Sequence, residues 1–222
     1  MSKQERPMRQ MDRDLLGAVV VINNDIVSGK REDTAGPLAV DLLRKFRVYA
    51  SGPIPEGAPD ESTPAGGVSE ESLEQLARDA TAANRSSSAE SAGAIPGDSR
   101  LYHCRETLGD VGAALETAID AGARVIVTVG GTGISQGDVA PEATAPLLEV
   151  RMDGIAQQIR EHGLTVTPLA SLSRGLVGIT HRGPGGVLIV NAPGSRGGVK
   201  DSLAVVCPLF PHIFEQLDDQ GV

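Results

Sequence analysis

Asp138 lies five residues beyond a glycine run, Gly130-Gly-Thr-Gly133, and just ahead of Pro141 and Glu142. Glycines without a Cβ let backbone N–H groups close on an anion, and a carboxylate beside them can hold a metal ion or orient a hydroxyl. Donors and acid together suit a nucleotide phosphate chain carrying Mg²⁺. The bland alternative is a Gly-Gly-Thr-Gly turn that only packs a strand tightly against a helix. The spacing is not a dinucleotide fingerprint, because Gly131 and Gly133 are followed by Gln136 where G-x-G-x-x-G needs a third glycine. No Gly-Lys-Ser/Thr follows, so it is not a P-loop either. Two further places carry polar chemistry at the end of an apolar run. Asp25 and Asp33 stand in the loop that follows Gly17–Ile22, and Pro193-Gly194-Ser195 follows Val187–Asn191. In the latter a backbone nest with a hydroxyl reads as an anion site or as a plain serine helix cap.

These loops need rigid elements behind them. Val125-Ile-Val-Thr-Val129 is a short β-branched run without polar alternation, which reads as a parallel strand buried on both faces; Gly17–Ile22 reads the same way. The expected order is then a helix with Thr34 as a possible cap, Pro37 in its first turn and Leu38, Leu42, Leu43 and Phe46 on one face. A strand from Arg47 to Ala50 resumes at Leu101–Cys104, and a helix is opened by Thr107-x-x-Asp110 and ended by Gly122. After the glycine loop a helical pattern through Leu147 and Leu148 is expected, then a helix over Gly154–Gly163 with His162 against its dipole. Gly175–Ile179 and Val187–Asn191 are too close for a crossover helix and read as an antiparallel pair; His181 between them reads as solvent-exposed. A helix from about Gly197 to Val206 and another over Leu209–Leu217 complete the pattern. Alternating strands and helices predict a three-layer α/β/α domain with a mostly parallel sheet, whose ligand loops sit at the strands' carboxyl ends.

At 222 residues the chain reads as one domain over 15–217, preceded by a loose arm over 1–14. Residues 51–99 interrupt it. They contain nine acidic and two basic residues, so most of the net charge of −9 sits there, and Gly, Pro, Ser and Ala supply 29 of the 49 positions. That composition cannot bury enough surface to offset its ordering entropy and predicts a largely disordered acidic insert, with one marginal helix starting at Ser69. There is no basic stripe, and only five aromatics (Phe46, Tyr49, Tyr102, Phe210, Phe214) are available for stacking, which excludes nucleic acid as the expected partner. No run is long and apolar enough to span a membrane, and the polar N-terminus lacks a signal peptide's apolar core, so a soluble cytoplasmic protein is expected. Cys104 and Cys207 lack metal-ligand spacing and read as buried thiols.

Read in full, Gly130-Gly-Thr-Gly-x-x-x-x-Asp138-Val-x-Pro-Glu-Ala-Thr144 resembles the signature of the MoaB/Mog family of molybdenum cofactor biosynthesis proteins. Asp25 through Ser28-Gly-Lys-Arg-Glu-Asp33-Thr-Ala-Gly-Pro37, Leu172-Ser-Arg-Gly175 and Leu188-Ile-Val-Asn-Ala-Pro-Gly-Ser195 resemble its other blocks, in order. The resemblance implies a molybdopterin-binding fold assembled as homotrimers or homohexamers. In the catalytic branch it also implies adenylyl transfer from Mg-ATP to molybdopterin, with release of pyrophosphate. It assigns Asp138 and Asp25 as catalytic, with Asp138 as the Mg²⁺ ligand. It assigns Gly130, Gly131, Thr132, Gly133, Ser135, Glu142, Ser173, Arg174, Pro193, Gly194 and Ser195 to substrate or nucleotide, and other cofactor-biosynthesis proteins are possible partners. Where the family has Pro-Arg before the loop aspartate, this chain has Gln136-Gly137, so a cation is missing unless Arg174, Lys30 or Arg196 replaces it. The aspartate that catalytic members carry after the second strand matches either Glu106 or Asp110. The alternative function is a MoaB-like oligomer that binds pterin, nucleotide or protein without turnover.

Overall fold

The computed structural model describes residues 14–49 and 101–219. Most of the expected arm, the acidic insert with its helix at Ser69, and the last three residues lie outside that range. β1 (Leu15–Ile22) is the centre of the first half of the sheet, and its β-branched run is buried almost throughout. It pairs in parallel with β4 (Val125–Val129), which pairs in parallel with β7 (Leu188–Ala192). Beyond β7 the direction reverses. β6 (Val177–Ile179) is antiparallel to β7, as the short connection predicts, and β5 (Val150–Arg151) is antiparallel to β6 at the edge.

The other edge is built from two pieces. β2 (Val48–Tyr49) pairs with Leu15 and Leu16, and β3 (Leu101–Cys104) pairs with Val19 to Ile22, both parallel. The far side of Leu16 is held by Arg124, whose N–H donates to the Leu16 carbonyl, so β2 and β3 share the one free side of β1. Three β1 positions separate the two pairings while 52 positions of sequence separate Tyr49 from Leu101, so 49 residues are surplus to a continuous strand. The acidic segment is thus inserted into an edge strand and leaves the register of the strand intact.

Strand side chains alternate between two cores. Val19, Val21, Val127 and Val190 face α2 (Gly36–Arg44), α6 (Arg196–Val206) and α7 (Phe210–Asp218), while Val20, Ile22, Ile126 and Ile189 face α3 (Leu108–Asp120) and α4 (Ala140–Thr144). α5 (Asp153–Leu164) joins the first core through Ala156 and Ile159. This is the expected three-layer α/β/α arrangement.

Several local details differ from the sequence reading. The loop after β1 contains a short helix, α1 (Asn24–Val27), capped by Asn23, whose side chain accepts the Ile26 N–H. Thr34 does not cap α2. Asp33 does, with its Oδ1 accepting the N–H groups of Ala35 and Gly36 at 3.0 and 2.8 Å. The helix after the glycine loop stops at Thr144, because a 3₁₀ turn over Ala145–Leu147 with Pro146 leads straight into β5. Gly163 does not end α5; the helix runs to Leu164. A Cβ at 163 would meet the Ala170 Cβ at 2.9 Å, so this glycine admits the 3₁₀ turn Pro168–Leu172. α6 begins at Arg196 and α7 at Phe210, each a single position from its expected start. Thr107 caps α3 by accepting the Asp110 N–H, as its sequence suggests.

Candidate functional site

A cleft of about 410 Å³ opens at the carboxyl ends of β1, β4 and β7. Open α/β sheets place ligands there because the parallel strands deliver loops, not helices, to that edge. Its floor is the glycine loop. Gly130 has φ +104° and passes so near β1 that a Cβ would stand 2.6 Å from the Ile22 carbonyl oxygen; no other residue fits. The chain then turns at Gly131, whose carbonyl accepts the Ala140 N–H at 3.0 Å and so ties the start of α4 back to the loop.

Asp138 folds inward over this loop. Its Oδ2 accepts the Ser135 N–H at 2.8 Å, and the same carboxylate lies where a Cβ on Gly133 would be, 2.7 Å from Oδ2. Among the described residues Oδ1 has no hydrogen bond and is available to a ligand or a metal ion. Glu106, which follows β3, lines the same cleft. Asn24 Nδ2 donates to its Oε2 at 3.1 Å, Asn23 Nδ2 to its Oε1 at 3.4 Å, and the Glu106 N–H donates to Asn24 Oδ1 at 3.1 Å. Asp110 sits instead in the first turn of α3, away from the cleft. The acid that the structure brings to this position is therefore Glu106.

Asp33 is the third carboxylate of the cleft, and it is engaged. Burial alone would push its carboxyl up, but the hydrogen bond with His103 at 2.9 Å, the N–H groups of Gly36 and Ala35 and the charge of His103 hold it below the ordinary carboxylate value. It therefore holds α2 in place. A Mg²⁺ ion fits the remaining donor set. Asp138 and Glu106 offer hard oxygens, but no group of three or more acids, histidines or cysteines capable of caging an ion occurs among the described residues. Such a site would borrow the rest of its oxygens from ligand phosphates and water, the usual arrangement for nucleotide-bound magnesium.

Of the residues anticipated from sequence, the cleft gathers Gly130, Gly131, Thr132, Gly133, Asp138, Gly194 and Ser195. Ser195 also caps α6, its Oγ accepting the Gly198 N–H at 3.0 Å. Asp25, Ser135, Glu142, Ser173, Arg174 and Pro193 do not line it. Asp25 is exposed on α1, and its contribution is its carbonyl, which accepts the N–H groups of Lys30 and Arg31. Asn23 and Asn24, the two preceding residues, are the ones whose side chains reach Glu106 in the cleft.

Arg174 acts from behind the loop. Its backbone N–H donates to the Thr132 carbonyl at 2.8 Å, its Nε to the Gly133 carbonyl at 2.7 Å, and its guanidinium also reaches the Asp138 carbonyl and both oxygens of Glu142. The Arg174 hydrogen bond holds the Glu142 carboxyl below its ordinary value, against a smaller opposing effect of burial. The pair thus clamps the far end of the loop that carries Asp138. Arg196 is turned elsewhere, donating to the Thr34 carbonyl.

Two features of the site escaped the sequence reading. One is Arg31, which lines the cleft. The other lies under the loop: Asn191 on β7 donates to Thr128 Oγ1 at 3.1 Å and to Thr144 Oγ1 at 2.9 Å, and its Oδ1 accepts the Leu176 N–H at 3.1 Å. All three polar side chains are fully or almost fully buried. Asn191 thereby fastens β7, β4, α4 and the segment ahead of β6 to one another. The visible signal was a lone asparagine within the apolar run Leu188–Ala192.

Residues 67–212 match the family model described as a probable molybdopterin binding domain. The chain is similar over 91% of its length to a solved molybdopterin biosynthesis protein from Mycobacterium abscessus, with 31% identity, 96% of that chain covered and a TM-score of 0.63. It is 34% identical over 88 residues to the molybdopterin adenylyltransferase of Helicobacter pylori, covering 40% of this chain and 48% of that protein. It is 42% identical over 96 residues to the molybdenum cofactor synthesis protein cinnamon of Drosophila melanogaster, covering 43% of this chain and 15% of that protein. In both cases the match spans less than half of the relative's length. No helix among the described residues is long and apolar enough to cross a membrane. The family match, the overlay on the Mycobacterium abscessus protein and the cleft floored by a glycine loop agree: the chain belongs to the molybdenum cofactor biosynthesis family of probable molybdopterin binding domains.

Proposed function

We propose that the chain transfers the adenylyl group of Mg-ATP to molybdopterin, giving adenylyl-molybdopterin and pyrophosphate. The observation that carries this reading is that Asp138 and Glu106 both line a cleft floored by the glycine loop. The similarity to the Helicobacter pylori molybdopterin adenylyltransferase supports it. The reaction needs two anionic partners held in line and little covalent help, so positioning and charge neutralisation are the protein's main contributions. Backbone N–H groups of Gly131 to Gly133 would hold phosphate oxygens of ATP, and the Gly194-Ser195 turn would receive the pterin or its phosphate. Asp138 Oδ1 and Glu106 would hold the magnesium ion, which when bound neutralises phosphate charge. Arg174 and Glu142 keep the loop in the shape that aims those groups. By analogy with the family, the active assembly is a homotrimer or homohexamer acting in the cytoplasm.

A binder without turnover is the second reading, favoured by Asp25 lying outside the cleft and by the absence of a side chain at Gly137. ATP labelled at the α-phosphate separates the two. Label appearing on molybdopterin, and lost on Asp138→Ala, is the expected result. Binding of both ligands with all label left on ATP would replace the enzyme with the binder.

A further inference from the structure

We infer that Arg31 is the side chain that binds a phosphate group of the ligand in this cleft; the inference rests on the proposed function. Arg31 lines the cleft and is exposed to it, and its backbone is fixed by donation of its N–H to the Asp25 carbonyl at 3.1 Å. Its guanidinium has no ion-pair or hydrogen-bond partner among the described residues, although three carboxylates line the same cleft. Each of those three is engaged with groups other than Arg31, through at least one oxygen. Asp33 is turned to His103 and the start of α2, Glu106 to the amides of Asn23 and Asn24, and Asp138 to the Ser135 N–H. An unpaired guanidinium in a cleft that also exposes the backbone of a glycine loop is the complement of a phosphate oxyanion, which it can bind in bidentate fashion. The other arginine near the loop, Arg174, directs its guanidinium to loop carbonyls and Glu142 and does not line the cleft. Arg31 therefore supplies the positive charge that Gly137 cannot.

The phosphate could be that of the nucleotide or the monophosphate of the pterin, and the test separates them. Calorimetry with Mg-ATP and with magnesium pyrophosphate, and fluorescence titration with molybdopterin, would compare the wild-type chain with Arg31→Ala, Arg31→Gln and Arg31→Lys. The glutamine variant keeps the Cβ–Cγ–Cδ stem and a polar end without the charge, should alanine disturb the loop. A loss of about tenfold or more, the range for a charge-assisted hydrogen bond, is expected in the alanine and glutamine variants, with a smaller loss in the lysine variant. Loss confined to Mg-ATP and pyrophosphate assigns Arg31 to the nucleotide; loss confined to molybdopterin assigns it to the pterin phosphate. Unchanged binding of every ligand by a variant of a binding-competent wild type would overturn the role of Arg31 and leave the proposed function standing. A wild-type chain that binds none of them would overturn both.

Discussion

Glu106 lies against Gly137. A Cβ at position 137 would stand 2.9 Å from Glu106 Oε2 and 3.2 Å from the Glu106 Cβ. The acid after β3 and the residue before the loop aspartate therefore share one space, and in this chain the acid fills it. Side chains sharing a space are not independent, and their substitutions should couple. Gly137→Ala should displace Glu106 from its asparagine partners and weaken Mg-ATP binding, at a stability cost of about 1 kcal/mol or less. Glu106→Asp should relieve the contact, so the double variant should lose less binding than the two single losses combined. Additive losses in a double-mutant cycle would show that the two positions act separately.

Asn191 is predicted to be the costliest single polar substitution in the domain. Replacing it by alanine strands the Leu176 N–H and removes the partner of two buried hydroxyls, each such group costing about 1–3 kcal/mol. Urea unfolding should show a midpoint lowered by the equivalent of about 3 kcal/mol with an unchanged slope. A loss below about 1 kcal/mol would mean that the network repairs itself or is filled by water.

Arg174→Ala should damage ligand binding more than stability. Its partner Glu142 has a side chain 48% exposed and its own is 39% exposed, so the ion pair itself is worth about 1 kcal/mol at most. What is lost is the clamp on the Gly133 and Asp138 carbonyls. The thermal midpoint should fall by a few degrees at most, while the affinity for Mg-ATP falls severalfold. The reverse ranking, a large stability loss with intact binding, would make Arg174 a residue of the scaffold alone.

Asp33 predicts an acid-range stability change of definite sign. Its carboxyl is held lower in the folded chain than in the unfolded one, so the stability it contributes is complete above the unfolded value of about 4. That contribution is lost as pH falls through the lower folded value. Asp33→Asn should be less stable than wild type at pH 7 and should lose less further stability between pH 5 and 3. Parallel thermal-midpoint curves for the two proteins over that range would contradict the assignment.

The sheet was legible because its strands are uninterrupted β-branched runs: Val125–Val129 and Gly17–Ile22 could hardly be anything else. The inserted edge strand was legible because the composition changes sharply at Ser51 and Ser99 while strand residues resume at Leu101. β5 was not, since two residues carry no period, and the 3₁₀ turn ahead of it looked like more helix. In the site, the glycine loop and Asp138 could be read from residue types alone. Asp25 could not be placed, because the phase of α1 decides which side chain of Asn23-Asn24-Asp25 reaches Glu106, and only the Asn23 cap sets that phase. The choice between Glu106 and Asp110 needed the register of β3, which the insert hides from any count along the chain. Arg31 stood in plain view, but nothing in the sequence says which of three consecutive charged residues, Lys30, Arg31 and Glu32, points inward.

The most direct test of the central claim is pyrophosphate release from Mg-ATP by the purified chain, with and without molybdopterin, for wild type and Asp138→Ala. Release that requires molybdopterin and falls at least about a hundredfold in the variant is the expected result, the scale on which removal of a charge-positioning group acts. No release from wild type in the presence of both ligands, or release that ignores molybdopterin, would contradict an adenylyltransferase.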